Sequence, residues 1–445
     1  MQQPPANQDV EKQRKKLESE EDFIRSPVRV AWMRLKRHRL ALFGGIVLAI
    51  LYFSVIFAPL YAPYDPYQQF RGKSYHPPVS IRVRDEEGNF RMPFIYNYLR
   101  GHRYMIYGYF DQEDPDTGEM TEVELDLGTF DVVDRAEAHG KAEKIAEEEG
   151  ADDFTYFPVM RIWVEDRQES PRFPLKLFVE SDRDFSVLGI PASTKILGLG
   201  EPSFADPYTE RETARLLLYG TDQFGRDNFS RILHGGRVSL FIGIVALMIS
   251  TFIGMIFGGI SGYYGGWVDN LMMRLAEVVM SFPQFYLLMA LAAVLPLDMT
   301  SAARFFLIVV ILAFVGWAGL ARVIRGMVLS ISQQDFVEAA RALGGSDLRI
   351  IIRHVLPNTY TYVIVAATLA LPGYILTEAG LSFLGLGIQQ PQASWGNMLS
   401  AAQSIRVLTE NAWLLVPGFF IFIAVLAFSF LGDGIRDAFD PKTDV

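Results

Sequence analysis

The chain has 445 residues, half of them hydrophobic, with a formal net charge of −10 and no cysteine. A soluble protein of this length would spread its apolar residues periodically over two or three domains, whereas here they are gathered into blocks. That pattern argues against a soluble globular protein, and the missing cysteines exclude a disulfide framework or a thiolate metal site.

Crossing a bilayer core of about 30 Å takes about 20 apolar residues. Six segments qualify, 40–60, 238–260, 276–296, 302–321, 359–383 and 412–431, the third being interrupted near its start by Glu277 and Pro283. The first follows a polar segment, 1–39, and is too long for the apolar region of a signal peptide, so 40–62 is expected to persist as a transmembrane helix. Arg25, Arg29, Arg34, Lys36, Arg37 and Arg39 precede it, and the positive-inside rule assigns that segment to the cytoplasm. Alternating from there, Arg322, Arg325, Arg341, Arg349 and Arg353 after the fourth span, and Arg436 and Lys442 in the tail 433–445, return to the cytoplasmic side. The expectation is a multi-pass protein of the cell membrane with both termini inside.

Residues 63–220 then form an extracytoplasmic insertion. From 71 to 220 there are 18 Lys/Arg against 30 Asp/Glu, a balance of −12. The run 80–94 alternates and turns at Gly88-Asn89 as a hairpin would, and 121–133, 157–166 and 173–181 also read as strands. Residues 134–149 have helix formers with a thin apolar stripe, which predicts a solvated surface helix. Aromatic and β-branched residues are too plentiful for disorder, so an α+β domain is expected. DQEDPDTGE (111–119) has acids enough to suggest calcium, but Gly118 and Glu119 fall where an EF-hand needs a ligand and its glycine, which leaves an acidic turn. No basic patch suggests nucleic acid.

The remainder, 221–432, carries five spans. Gly225, Arg226 and Asp227 open a stretch in which Asp227 can cap a helix and Phe229, Ile232 and Leu233 share a face. This predicts an interfacial helix before the second span, or one whose face packs on the insertion. Between the fourth and fifth spans, 333–358 is too long for a plain connection. Gln334–Leu343 favours helix and Gly344 stops it, while Ser346 can cap a second helix that Pro357 ends. The alanines 339, 340 and 342 would let another backbone approach closely, so the loop reads as a docking element for a soluble partner. In the fifth span Glu378 follows Pro372 and Gly373; an acid at membrane depth is a candidate for the translocation path or outer gate, the alternatives being that it reaches the interface or bonds backbone freed by the proline.

Glu338-Ala339-Ala340, Gly344 and Leu356-Pro357, with Asp335 and Arg341 among them, resemble the EAA loop of ABC-importer membrane subunits. His354 departs from the apolar residue of the general pattern, and RHVLPN resembles the peptide branch. YGTDQFGRDNFSRILHGGRVSL (219–240), TEAGLSFLGLGIQQPQASWGNML (377–399) and LGDGIRDAFDPK (431–442) agree. Over about 25–62 and 216–445 the chain is similar to the second, C-type permease of the dipeptide, oligopeptide and nickel importers. The resemblance implies an all-α type I importer fold of six transmembrane helices surrounded by lipid, here with the added α+β domain. It implies a sister permease, two cytoplasmic ATPase subunits that bind the ATP, and an extracytoplasmic substrate-binding protein. Peptides are the implied substrate, with nickel or another small solute as the alternative.

No cofactor, catalytic group or metal site is expected in this chain. RGKS (71–74) and HGKA (139–142) lack the first glycine of a phosphate-binding loop, Tyr67 and Arg135 standing in its place. A secondary transporter would show internal repeats, and a receptor would need a signalling domain inside. Both leave 333–358 unexplained.

Overall fold

The computed structural model describes residues 27–113, 120–168, 170–205, 213–296 and 298–439. They divide into two units, Pro59–Ser230 and the segments on either side of it. Most of the acidic turn weighed as a calcium loop, 114–119, lies outside the described residues, as do Arg25 and Lys442.

Helix α1 (Pro27–Leu35) precedes α2 (Arg39–Ile56). The α2 N-terminus is set by His38, whose Nδ1 accepts the Ala41 N–H at 3.1 Å and satisfies one of the orphan donors of the first turn.

The Pro59–Ser230 unit holds strands β1 (Arg82–Arg84), β2 (Phe90–Ile95), β3 (Asn97–Glu113) and β4 (Met120–Val132), helix α3 (Ala138–Glu149), then β5 (Asp153–Asp166), β6 (Phe173–Val187) and β7 (Ile190–Leu199). Two antiparallel sheets result, in orders β1-β2-β6-β7 and β4-β3-β5. The expected hairpin forms: Asp85 donates to the Asn89 carbonyl, and Gly88 sits at φ +82°. The thin stripe of α3 is Ala138, Ala142 and Ala146, all buried, with Ala142 and Ala146 clustered against Ile106 of β3.

Helix α4 (Asn228–Tyr264) has 37 residues, about 55 Å at the α-helical rise and longer than a bilayer core. It overturns the expectation of a separate interfacial helix, because the helix that starts after Asp227 runs on unbroken into the span. Asp227 does cap it, accepting the Ser230 N–H at 2.8 Å. Arg226 and Asp227 are buried rather than at a lipid surface, and Asp222 accepts from both the Arg226 N–H (3.0 Å) and its Nε (2.7 Å). Gly225, at φ +71°, lies against the Phe70 carbonyl, where a Cβ would collide.

Helices α5 (Gly266–Met280) and α6 (Gln284–Ala293) meet at 81°. The expected third span, 276–296, is therefore two helices broken at Pro283, which lacks an N–H and biases Phe282 away from helix. Next come α7 (Ser301–Ile331), α8 (Asp335–Ala342), α9 (Asp347–Ile350), α10 (Tyr360–Phe383), α11 (Trp395–Leu399) and α12 (Val416–Phe439). Five of the described helices are long and apolar enough to cross a membrane, or six if the bent pair counts as one. Without a hydrophobic drive between helices in lipid, small residues set the contacts. Gly254, Gly258 and Gly262 of α4 lie one turn apart against α7; an added Cβ would sit 3.1 Å from the Trp317 carbonyl oxygen and 2.7 Å from that of Arg325.

Candidate functional site

The loop 333–358 is built as a bracket. Asp335 and Glu338 stand in the first turn of α8, where negative charge favours a helix N-terminus. Gly344 at φ +78° ends it: its N–H donates to the Arg341 carbonyl at 2.9 Å, and the Gly345 N–H donates to that of Ala340 at 3.1 Å. Ser346 makes no capping bond to α9. Asp347 instead accepts from the Tyr263 hydroxyl at 2.9 Å, and Arg341 Nε donates to the same hydroxyl at 3.2 Å with its guanidinium 4.9 Å from the ring. Tyr263, near the end of α4, thus fixes both arms of the bracket.

Pro357 does not end the second arm, contrary to the sequence expectation. Asp347–Phe383 continues as one helical rod through a π-turn at Ile351–Val355 and a 3-10 turn at Leu356–Thr359. Pro357 falls at the start of the 3-10 turn, where its missing N–H is least costly. Val337, Ile350, Ile351, Val355 and Leu356 are buried against Ile324, Val328 and Ile331 of α7. The opposite side carries Glu338, Ala339 and Arg341, all exposed, beside Phe336, Leu348 (63% exposed), Ile352 and Leu343 (90% exposed). Of the loop residues expected to act together, Asp335, Glu338, Ala339, Arg341, Gly344 and Pro357 are exposed, whereas Leu356 belongs to the seat and Ala340 is half-buried against it.

Glu378 has the opposite character. It is fully buried in α10; Ser382 Oγ donates to Oε1 at 2.7 Å, the Ser239 and Ser394 hydroxyls flank the carboxyl, and Oε2 makes no hydrogen bond. Ser382 Oγ also accepts the Ile388 N–H at 2.9 Å. Ser394 and Asn397 form a reciprocal capping box on α11, Trp395 donates through Nε1 to the Ile232 carbonyl at 3.0 Å, and Gly396 leaves no room for a Cβ against Ala379. The carboxyl is part of a clasp joining α4, α10 and α11 and does not reach backbone freed by Pro372. Pro372 is half-buried and Gly373 exposed about one and a half turns earlier, so the three residues do not converge on one site.

Residues 250–445 match the family described as binding-protein-dependent transport system inner membrane component, and 26–78 match the N-terminal transmembrane domain of oligopeptide transport permease C. The chain is 45% identical over 228 residues to the oligopeptide transport system permease protein OppC of Haemophilus influenzae, covering 51% of this chain and 70% of that one. It is 42% identical to the dipeptide transport system permease protein DppC of Bacillus subtilis over 50% of this chain and 68% of that one. For OppC of the same organism the values are 41%, 50% and 71%. The chain belongs to the peptide-permease family of ABC importers, as a C-type membrane subunit.

Three structural residues of this permease escaped sequence reading. Asp269 of α5 accepts from Arg325 Nε and Nη2 of α7, each at 2.5 Å, and from Ser261 of α4, so one carboxylate ties three helices. Arg237 donates to the last carbonyls of α2, those of Val55 and Ile56. Arg325 stood in the sequence only as one more cytoplasmic charge. No spacing in a single chain reveals that its partner is 56 residues away.

Proposed function

We propose that this subunit forms half of the translocation pathway of a peptide importer, with 333–358 as its coupling loop. The observation that carries the proposal is the two-sided bracket: one side is buried on α7, and the other presents Leu343, Leu348 and Ile352 in a frame of charges. Exposed apolar side chains on an ordered polar loop fit a groove on a protein partner. That partner is a cytoplasmic ATPase subunit, which supplies the ATP site; a sister permease completes the channel, and a binding protein outside delivers the peptide named by the relatives. Because the bracket is packed on α7 and continuous with α10, motion of the ATPase would reach both helices, giving the two-state element that coupling requires.

Glu338→Lys, Leu343→Asp and Gly344→Pro should each leave membrane insertion intact while reducing co-purification of the ATPase and peptide-stimulated hydrolysis in vesicles by at least tenfold, on the order of one lost hot-spot contact. Unchanged stimulation in all three would sink the assignment. In the proposed orientation the Pro59–Ser230 unit lies outside. Single cysteines at Glu148 and Arg341 should then react with an impermeant maleimide from opposite sides, position 148 alone labelling in intact, outer-membrane-permeabilised cells. Labelling of 341 from outside would reverse the orientation.

A further inference from the structure

The Pro59–Ser230 unit is acidic overall, yet one face of its three-stranded sheet collects cations. The register sets Arg100 opposite Trp163 and His102 opposite Arg161, so these four side chains share one face of β3 and β5. Arg135 reaches the same place, 3.1 Å from His102 Nε2. At the edge of this face lies a cleft of about 500 Å³ whose lining includes Arg71, Lys73, Tyr98, Arg100 and Trp163. Lys73 is buried there, donating to Asn97 Oδ1 at 3.2 Å, with its ammonium 5.6 Å from the Trp163 ring; the Arg100 guanidinium is 5.9 Å from the same ring.

Arg100 and Arg161 are diagonal neighbours across this strand pair, close enough for their like charges to repel. The carboxylate that shares this face of β5, Glu165, does not relieve them: it is held by Arg82 at 2.8 and 2.6 Å and by Arg167 at 2.9 Å. Among the described residues, no carboxylate pairs with Arg71, Arg100 or Arg161. A row of cations left uncompensated in a domain rich in acids is a feature that an incoming anion would offset. The volume falls within the range of about 300–1,000 Å³ usual for small-ligand sites, and the concave aromatic wall suits a small molecule better than a flat protein surface. The guanidinium fork matches a planar carboxylate, and the indole face can support an adjoining side chain.

We propose that this cleft binds the C-terminal carboxylate of a peptide, with Arg71 and Arg100 receiving the carboxylate and Trp163 carrying the last side chain. The proposal rests on the reading of the chain as a peptide importer with this unit outside. It would make the insertion a second point of peptide contact, besides the binding protein.

The test uses the assembled transport complex in lipid nanodiscs without its binding protein, titrated with Ala-Ala-Phe and with its C-terminal amide. The free acid should bind and the amide should bind about tenfold more weakly, the scale of one charge-assisted contact. Arg100→Gln, and separately Arg71→Gln, both at exposed positions, should weaken the acid by a similar factor and leave the amide unchanged. Equal affinity for acid and amide, or affinity for the acid unaltered in both variants, overturns the proposal. So does Arg100-dependent binding of phosphatidylglycerol vesicles in place of peptide, which would make lipid phosphate the ligand. Peptide uptake by the complete importer, measured in parallel, separates the two levels: uptake without Arg100-dependent binding defeats this site alone, whereas absence of peptide uptake defeats the parent reading.

Discussion

Each of the two units contains an arginine–aspartate pair made by a two-pronged contact, and the pairs differ in what they can do. In the Pro59–Ser230 unit Arg103 faces Asp131 across β3 and β4 at 2.6 and 2.7 Å, both side chains about two-fifths exposed. In the permease unit Arg325 holds Asp269 at 2.5 Å, and there the carboxylate is only 11% exposed. The contacts are nearly the same; the solvent is not. Water already satisfies the first pair when it opens, whereas the second leaves a desolvated carboxylate with only Ser261 for company. One geometry therefore fastens helices in one unit and merely decorates a sheet in the other.

The largest effect should follow from breaking the enclosed pair. Arg325→Ala is expected to cost about 3 kcal/mol, the scale of removing one partner from a buried ion pair, read as a fall in the thermal unfolding temperature of the detergent-solubilised protein. Asp269→Asn, which keeps a hydrogen-bonding group without the orphaned charge, should cost less. If both variants unfold with the parent, enclosure is not what gives the pair its weight.

The next effect concerns the other unit. His76 is 2% exposed, and burial foremost, with Lys73 nearby, lowers its pKa to about 3. The unfolded chain, with an ordinary histidine pKa near 6.5, binds the proton first as pH falls. The unit should therefore keep full stability above about pH 7.5 and lose about 2 kcal/mol as pH falls from there to 5. Hydrogen exchange of residues 59–113, corrected for intrinsic rates, measures it. His76→Gln should flatten this pH dependence whatever its effect at neutral pH. An unchanged slope in that variant would move the sensitivity to another group.

Much of the permease unit was legible because lipid imposes a strong code. Apolar blocks of span length and the glycine stop at 344 are local signals, and the EAA pattern marked 333–358 as an element of its own. What escaped depends on residues far apart. Pro283 was seen, but whether a proline bends a span or breaks it into two helices at 81° is decided by neighbouring helices. Pro357 looked like a stop, yet the π-turn before it absorbs the missing bond. The glycines at 254, 258 and 262 were readable at four-residue spacing, and their partner helix was not. In the insertion, β3 went unread although it is the central strand, since Gly101 and Gly108 interrupt its alternation; each sits where neighbouring atoms crowd out a Cβ. The cations of β3 and β5 were in plain view, but only the register brings them together.

The smallest effect returns to the exposed pair. Arg103→Ala removes a directly opposed cross-strand partner, and Asp131 can then be hydrated at once. The loss should be under about 1 kcal/mol, near the upper end for surface pairs because both prongs are well placed. Part of that should vanish as added salt shortens the Debye length from about 10 Å at 0.1 M to about 3 Å at 1 M. Arg325→Ala should show less such salt dependence, since its carboxylate partner is 11% exposed against 39% for Asp131. The two variants measured side by side at both salt strengths decide the comparison. A salt-insensitive loss of several kcal/mol at Arg103 would mean that the sheet relies on its surface charges as the helices rely on their enclosed one, and the distinction between the two units would fall.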